Sequence, residues 1–259
     1  MQERRGVDAG VAVLRRAIDQ IEDPQFRGRA QFRIATLLYG EGRFEEALED
    51  LRVYVRGYGD IAVSVGVDLD RVYFLMAEAR RLNADEAAEG DGHAAEGYAA
   101  AADHYRRVMT RYPRSSRLAE SHYGLGLSHF GLGQVDSSLV HLAAAVDEHP
   151  ASEVAPFALS WRGRLEARRG NYESAVIPYR RLIEEYPKSG LVDQTWRDLG
   201  LVHKQLGDTE SALRAFAEVT EDSPAWPKVQ AEAGDMLLAE RRVSELASQF
   251  DIDGALART

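Results

Sequence analysis

The sequence predicts an all-α fold, a solenoid of about five antiparallel helical hairpins closed at each end by capping helices. Three observations carry that expectation: an internal repeat of fixed period, glycines at fixed places within it, and apolar stripes at helical spacing. Pro113, Pro150, Pro187 and Pro224 each lie 37 residues apart. The same step links Gly126, Gly163 and Gly200, and also Gly133, Gly170 and Gly207. Tyr105, Leu142, Tyr179 and Phe216 keep it too, as do Ala101, Ser138, Ala175 and Ala212.

Each recurring residue has a physical role. A glycine in mid-helix (126, 163, 200) lets a neighbouring helix approach closely, at a cost of about 1 kcal/mol in helix propensity. The second glycine (133, 170, 207) falls where the first helix of a unit ends, the place of a left-handed cap. Ala175, Val176, Tyr179, Leu182 and Ile183 then form the stripe of an amphipathic second helix. The proline stops that helix. Ser115 or Ser116, Ser152 and Ser189 are placed to cap the next one. One unit therefore reads helix, tight turn, helix, short loop.

In chain order, Val7, Val11, Leu14, Ile18 and Ile21 predict a capping helix over 7–22. Repeats follow at 28–59, 68–113, 116–150, 153–187 and 190–224. Gly42, Phe44, Ala47 and Leu51 keep register in the first. The second is too long by 17 residues, and the excess is placed in an inserted acidic loop at 83–97. Val229, Ala233, Met236 and Leu237 mark a C-terminal capping segment over 227–250. Residues 1–259 are thus read as one domain, because stacked repeats bury one continuous core and need caps at both ends.

The order small residue, Gly, Ala, aromatic, Pro resembles the tetratricopeptide repeat, most completely in Trp196, Leu199, Gly200, Gly207, Ala212, Phe216 and Pro224. The family unit is about 34 residues, so these units carry three more. The family's frequent Tyr is replaced by Leu38, His129, Glu166 and His203, and Ser138 stands for the packing Ala. The Tyr112-Pro113-x-Ser115 and Tyr186-Pro187-x-Ser189 loops are similar to those of tetratricopeptide proteins of the bacterial envelope, of the outer-membrane assembly lipoprotein and Tol–Pal-associated types. The resemblance implies right-handed stacking and a non-catalytic scaffold that holds a protein segment in a concave groove lined by the first helix of each hairpin. Carried over position by position, the groove comprises Arg29, Phe32 and Tyr39; Tyr123, Leu127 and Phe130; Phe157, Arg164 and Arg168; and Arg197, Leu201 and Lys204. Its aromatic N-terminal part and basic C-terminal part imply a partner protein or peptide with apolar anchors and either acidic residues or a free C-terminus. The Lys/Asn clamp of chaperone-binding members is not reproduced. The alternative is a structural subunit held permanently in a larger assembly, such as one of the cell envelope, through its convex faces, caps and loops.

Composition narrows the function classes. A net charge of −10 argues against a nucleic-acid binder, which needs a Lys/Arg excess. The absence of cysteine removes disulfides, thiolate nucleophiles and Cys-based zinc sites. No apolar run reaches the roughly 18 residues of a membrane span, so direct membrane insertion is not expected. The first residues are amphipathic rather than continuously apolar, which predicts a cytoplasmic chain; a leader removed beforehand makes it periplasmic instead. No Ser/His/Asp order, phosphate-binding glycine loop or HExxH helix is present. His122 and His129 lie seven apart on one helix face, and His203 matches His129 two repeats on. Neither has the i, i+4 partner or nearby carboxylate of a metal site. No catalytic residue, metal or cofactor is therefore expected.

Overall fold

The computed structural model describes residues 2–87 and 93–250. Among the described residues every regular element is helical, so the all-α expectation stands. The chain divides into two compact units, Met1–Ala155 and Pro156–Thr259.

In the N-terminal unit, α1 (Gln2–Gln20) packs on α2 (Pro24–Gly40), which pairs with α3 (Phe44–Tyr58). Val11 of α1 is buried against Ile34, Leu38 and Ala47, with Val7, Leu14 and Ile18 beside it. Arg15 bonds the buried Asp50 carboxylate at 2.9 Å, and Gln31 donates to the same group at 2.6 Å. A 3-10 turn (Gly59–Ile61) and the short α4 (Ala62–Val65) lead into α5 (Leu69–Ala87) and α6 (His93–Arg111). Here α2, α3 and α5 share a core built on Phe32, Leu48, Leu51, Tyr54, Val72 and Met76. Then α7 (Leu118–Gly131) pairs with α8 (Val135–Asp147). The C-terminal unit holds α9 (Ala155–Arg168), α10 (Tyr172–Glu185), α11 (Val192–Gln205), α12 (Thr209–Ala217) and α13 (Trp226–Phe250). Phe216, Val219, Ala225, Val229 and Met236 form the core that joins α12 to α13.

The repeated glycines act at two distinct places. Gly133, Gly170 and Gly207 have φ of 71°, 78° and 75°, the left-handed region that only glycine enters freely. At each, the glycine amide bonds back three residues and the next amide bonds back five, as in Gly170 to Ala167 and Asn171 to Glu166. This pair of bonds closes the orphan carbonyls of the helix end. The non-family residues explain themselves here. His129, Glu166 and His203 each face a polar residue just past the glycine: Gln134 at 2.6 Å, Asn171 at 2.9 Å and Asp208 at 3.6 Å. A side-chain pair thus spans each cap. The mid-helix glycines answer to packing. A Cβ on Gly126, Gly163 or Gly200 would lie 2.8 Å from Leu142, 2.4 Å from Tyr179 or 2.4 Å from Phe216.

Three local expectations are corrected. The flanks of the expected 83–97 loop are helical instead: α5 runs to Ala87 and α6 starts at His93, while 88–92 lie outside the described residues. Alanine-rich sequence favours helix, and the two extensions pack, with Gly97 close against Ala84 and the Tyr98 hydroxyl donating to Asp85 at 2.7 Å. Pro224 does not end a helix as Pro113, Pro150 and Pro187 do. Helix α12 stops at Ala217, where Asp193 holds Thr220 through its hydroxyl at 2.7 Å. Ser115, Ser152 and Ser189 lie one turn ahead of α7, α9 and α11. Their hydroxyls accept the amides of Arg117, Val154 and Leu191 at 3.1–3.2 Å, inside the turn rather than at the helix cap.

Burial gives the N-terminal unit an acid sensitivity. His104, whose ring stacks on Tyr73 at 6.2 Å, is pushed down to about 4, first by burial and then by Arg107 and Arg80. The unfolded chain, with His near 6.5, binds this proton more readily than the folded one. The contribution is therefore complete above about pH 6.5 and is lost as pH falls from there towards 4. Thermal melting across that window is expected to drop for wild type and to drop less for His104→Gln. Parallel curves for the two proteins would remove His104 as the cause.

Candidate functional site

The N-terminal unit holds six of the residues assigned to a groove. Phe32 is core rather than anchor: it is buried, meets Tyr54 edge-on at 5.8 Å, and is covered by the Arg71 guanidinium at 5.0 Å. Arg29 is exposed, but its Nε donates to the Val65 carbonyl at 2.8 Å, which ties α2 to α4. Tyr39 is half-buried edge-on to Phe44 at 5.6 Å, and burial raises its hydroxyl pKa. Tyr123, Leu127 and Phe130 lie half-buried along α7. The aromatic N-terminal part of the groove is thus reduced to partly covered side chains, because the apolar residues at these positions are spent on the packing of their own hairpins.

The C-terminal unit is different. Arg164 and Arg168 of α9 and Arg197 and Leu201 of α11 line one cleft of about 470 Å³, together with Tyr172, Tyr179, Gln194, Asp198 and Gln205. Helical spacing produces the arrangement. Positions 164 and 168 lie one turn apart on α9, as do 197 and 201 on α11, so both pairs face the same side. Phe157 and Lys204 stand outside the cleft. Phe157 is exposed at the start of α9, while the Lys204 ammonium is held by Glu232 of α13 at 2.6 Å.

Asp198 sits at the centre of this basic cleft. Gln194 donates to one carboxylate oxygen at 2.6 Å; Arg164 Nε and Arg197 Nη1 approach the two oxygens at 3.4 Å each. The Asp198 side chain is 14% exposed, whereas Arg164 is 43% exposed and half open to solvent. Arg197 Nε is buried without a hydrogen-bond partner. Burial and the Asp198 charge both raise the Tyr179 hydroxyl pKa, so it stays protonated. Such a cleft presents guanidinium donors around a carboxylate that already shows where a carboxylate fits. Sequence reasoning placed the arginines but not Asp198, Gln194 or Tyr179. The i, i+4 step from Gln194 to Asp198 was the one signal that could have paired the first two.

Residues 123–190 match the tetratricopeptide repeat family. No curated protein matches the chain. Among solved structures, a tetratricopeptide repeat protein from Parabacteroides merdae is 17% identical with a TM-score of 0.59, over 96% of this chain and 86% of that one. MamA from Desulfovibrio magneticus is 19% identical with a TM-score of 0.57, over 76% and 98%. YrrB, described as having an unusual peptide-binding site, is 16% identical with a TM-score of 0.55, over 88% and 97%. At these identities the likeness is one of fold. Helical hairpins and glycine register agree with the match over 123–190, and the fold is of the tetratricopeptide-repeat type.

Proposed function

We propose that this chain is a non-catalytic scaffold that binds an acidic segment of another protein in the cleft between α9 and α11. The observation that carries the reading is the gathering of Arg164, Arg168 and Arg197 around one cavity in a chain of net charge −10. Local charge opposes the global charge there, which is the arrangement that selects an anionic partner and steers it. Asp198 acts as an internal stand-in: an incoming carboxylate competes for the same guanidinium donors. YrrB, of similar fold, is named for a peptide-binding site, which supports a peptide as the class of ligand. The partner's carboxylate is either a side chain or a free C-terminus, and both present the same two oxygens.

Fluorescence anisotropy with labelled Asp/Glu-rich peptides, bearing free or amidated C-termini, tests the reading. Loss of one charge-assisted contact is worth about 1.5–3 kcal/mol, so Arg164→Ala or Arg197→Ala is expected to weaken binding roughly tenfold or more. The triple exchange Arg164→Glu/Arg168→Glu/Arg197→Glu is expected to abolish binding with helical content unchanged. Rising salt should weaken the wild-type complex. Undiminished binding by the triple variant would sink the proposal.

A further inference from the structure

We propose that His122, Glu148 and His149 form a binding site for a divalent transition-metal ion of the zinc class, with His141 as the residue that orients His122. The site lies in the α7–α8 hairpin of the N-terminal unit and does not depend on the cleft between α9 and α11.

Three elements bring the ligands together. His122 is near the start of α7, Glu148 is the residue that caps α8, and His149 follows it before Pro150. One nitrogen or carboxylate oxygen from each lies within 4.8 Å of the others, and His122 Nε2 is 4.0 Å from Glu148 Oε2. Zinc bonds of about 2.0–2.2 Å put tetrahedral ligand atoms roughly 3.4 Å apart. The three groups therefore need to close by about 1.5 Å or less, a rotamer adjustment for the exposed Glu148 carboxylate. Two imidazoles and one carboxylate suit zinc, nickel, cobalt or copper. Calcium and magnesium prefer oxygen-only shells.

The remaining histidines set the first one's orientation. His122 Nδ1 is 3.4 Å from His141 Nδ1, so a proton on His122 Nδ1 donated to His141 leaves the Nε2 lone pair on the Glu148 side. Ligating histidines commonly hold their second nitrogen in this way. His141 in turn stacks on His129 at 5.4 Å with the rings 5° from parallel. His129 Nδ1 is 2.6 Å from Gln134 Oε1, which as an amide oxygen only accepts, so His129 keeps a proton on Nδ1. The imidazole row is thus anchored at its His129 end.

Two further observations favour a ligand over packing. Glu148 and His149 also line an open cleft of about 570 Å³ with Glu120, Ser152 and Glu153. An ion held by three protein groups would keep a fourth position on that cleft for water or for a donor from another molecule. One repeat further on, the places of His122, His141 and His149 are taken by Leu159, Pro178 and Tyr186. The hairpin fold is met by ordinary apolar and aromatic residues there, so packing alone does not call for three histidines.

The test is calorimetric titration of Zn²⁺ into the full chain near neutral pH, with Co²⁺ as a spectroscopic probe. One ion per chain is expected, with Co²⁺ visible bands of a four-coordinate N/O site. His149→Ala and Glu148→Gln lie at the surface turn and are expected to weaken binding at least tenfold with unchanged circular dichroism. His122→Ala should do the same; if it fails to fold, the two surface variants carry the test. His141→Phe should cost about 10–100-fold, as loss of an orienting partner does. His104→Gln and His203→Gln should bind as wild type. Absence of saturable binding, or binding that survives both His149→Ala and Glu148→Gln, overturns the proposal.

Discussion

Gly163→Val is expected to destabilise the C-terminal unit by about 3 kcal/mol, the upper part of the usual range for overpacking. A Cβ at this position would lie 2.4 Å from a ring carbon of Tyr179, and that tyrosine is only 2% exposed. The obstructing atoms belong to a rigid ring in the core, so neither rotamer change nor solvent offers relief. The helix itself would gain up to about 1 kcal/mol on losing a glycine, which makes net destabilisation a demanding outcome. Urea unfolding measures it, and the double variant Gly163→Ala/Tyr179→Leu supplies the control. If the close approach is the cause, shrinking the ring should restore most of the loss suffered by Gly163→Ala alone. Equal losses with and without the smaller partner would mean that backbone effects, not contact with Tyr179, govern the position.

Arg81→Ala is expected to cost the N-terminal unit about 3–5 kcal/mol, the range for breaking a buried charge pair from one side. Arg81 Nη2 lies 3.0 Å from Glu78 and Nη1 lies 2.8 Å from Asp85, and the Arg81 and Glu78 side chains are 12% and 18% exposed. Glu78 also accepts the hydroxyl of Tyr105, whose pKa is raised well above its ordinary value, first by burial and then by the Glu78 charge. Removal of the guanidinium leaves a desolvated carboxylate whose remaining partner, the Tyr105 hydroxyl, donates a hydrogen bond but brings no compensating charge. Removal of both charges is gentler, since two apolar residues carry no desolvation penalty. Arg81→Met/Glu78→Leu should therefore be clearly more stable than Arg81→Ala. A melting curve for Arg81→Ala that overlays wild type would show the network to be peripheral.

Much of this architecture was legible because backbone geometry demands particular residues. A left-handed cap asks for glycine, and a close helix approach removes the side chain, so 133, 170 and 207 and 126, 163 and 200 announce themselves. Other features turn on competition that a linear reading cannot weigh. Residues 83–87 and 93–97 are acidic and alanine-rich, a composition shared by solvated loops and by good helices; contact between Gly97 and Ala84 decided for helix. Phe32 occupies a groove register yet is drawn into the core by Tyr54 and Arg71. The arginine cleft was readable because helical spacing places 164, 168, 197 and 201 on facing sides. Asp198 was not, since its partner Arg164 is 34 residues away. The histidine cluster was hidden for the same reason: His122 meets groups from the second helix of its hairpin and from the turn beyond, never from its own helix.

The glycine contacts also bear on how the chain reaches this state. Gly126 and Leu142, Gly163 and Tyr179, and Gly200 and Phe216 are each separated by sixteen residues. Closing a loop of that length costs little chain entropy, and loops near ten residues close in about 10–100 ns. These close contacts are thus among the earliest available, and a topology built from such local pairs folds quickly. On a ribosome, the Gly126–Leu142 contact can form before Gly200 has been added, so synthesis and folding can proceed in the same order, one hairpin at a time.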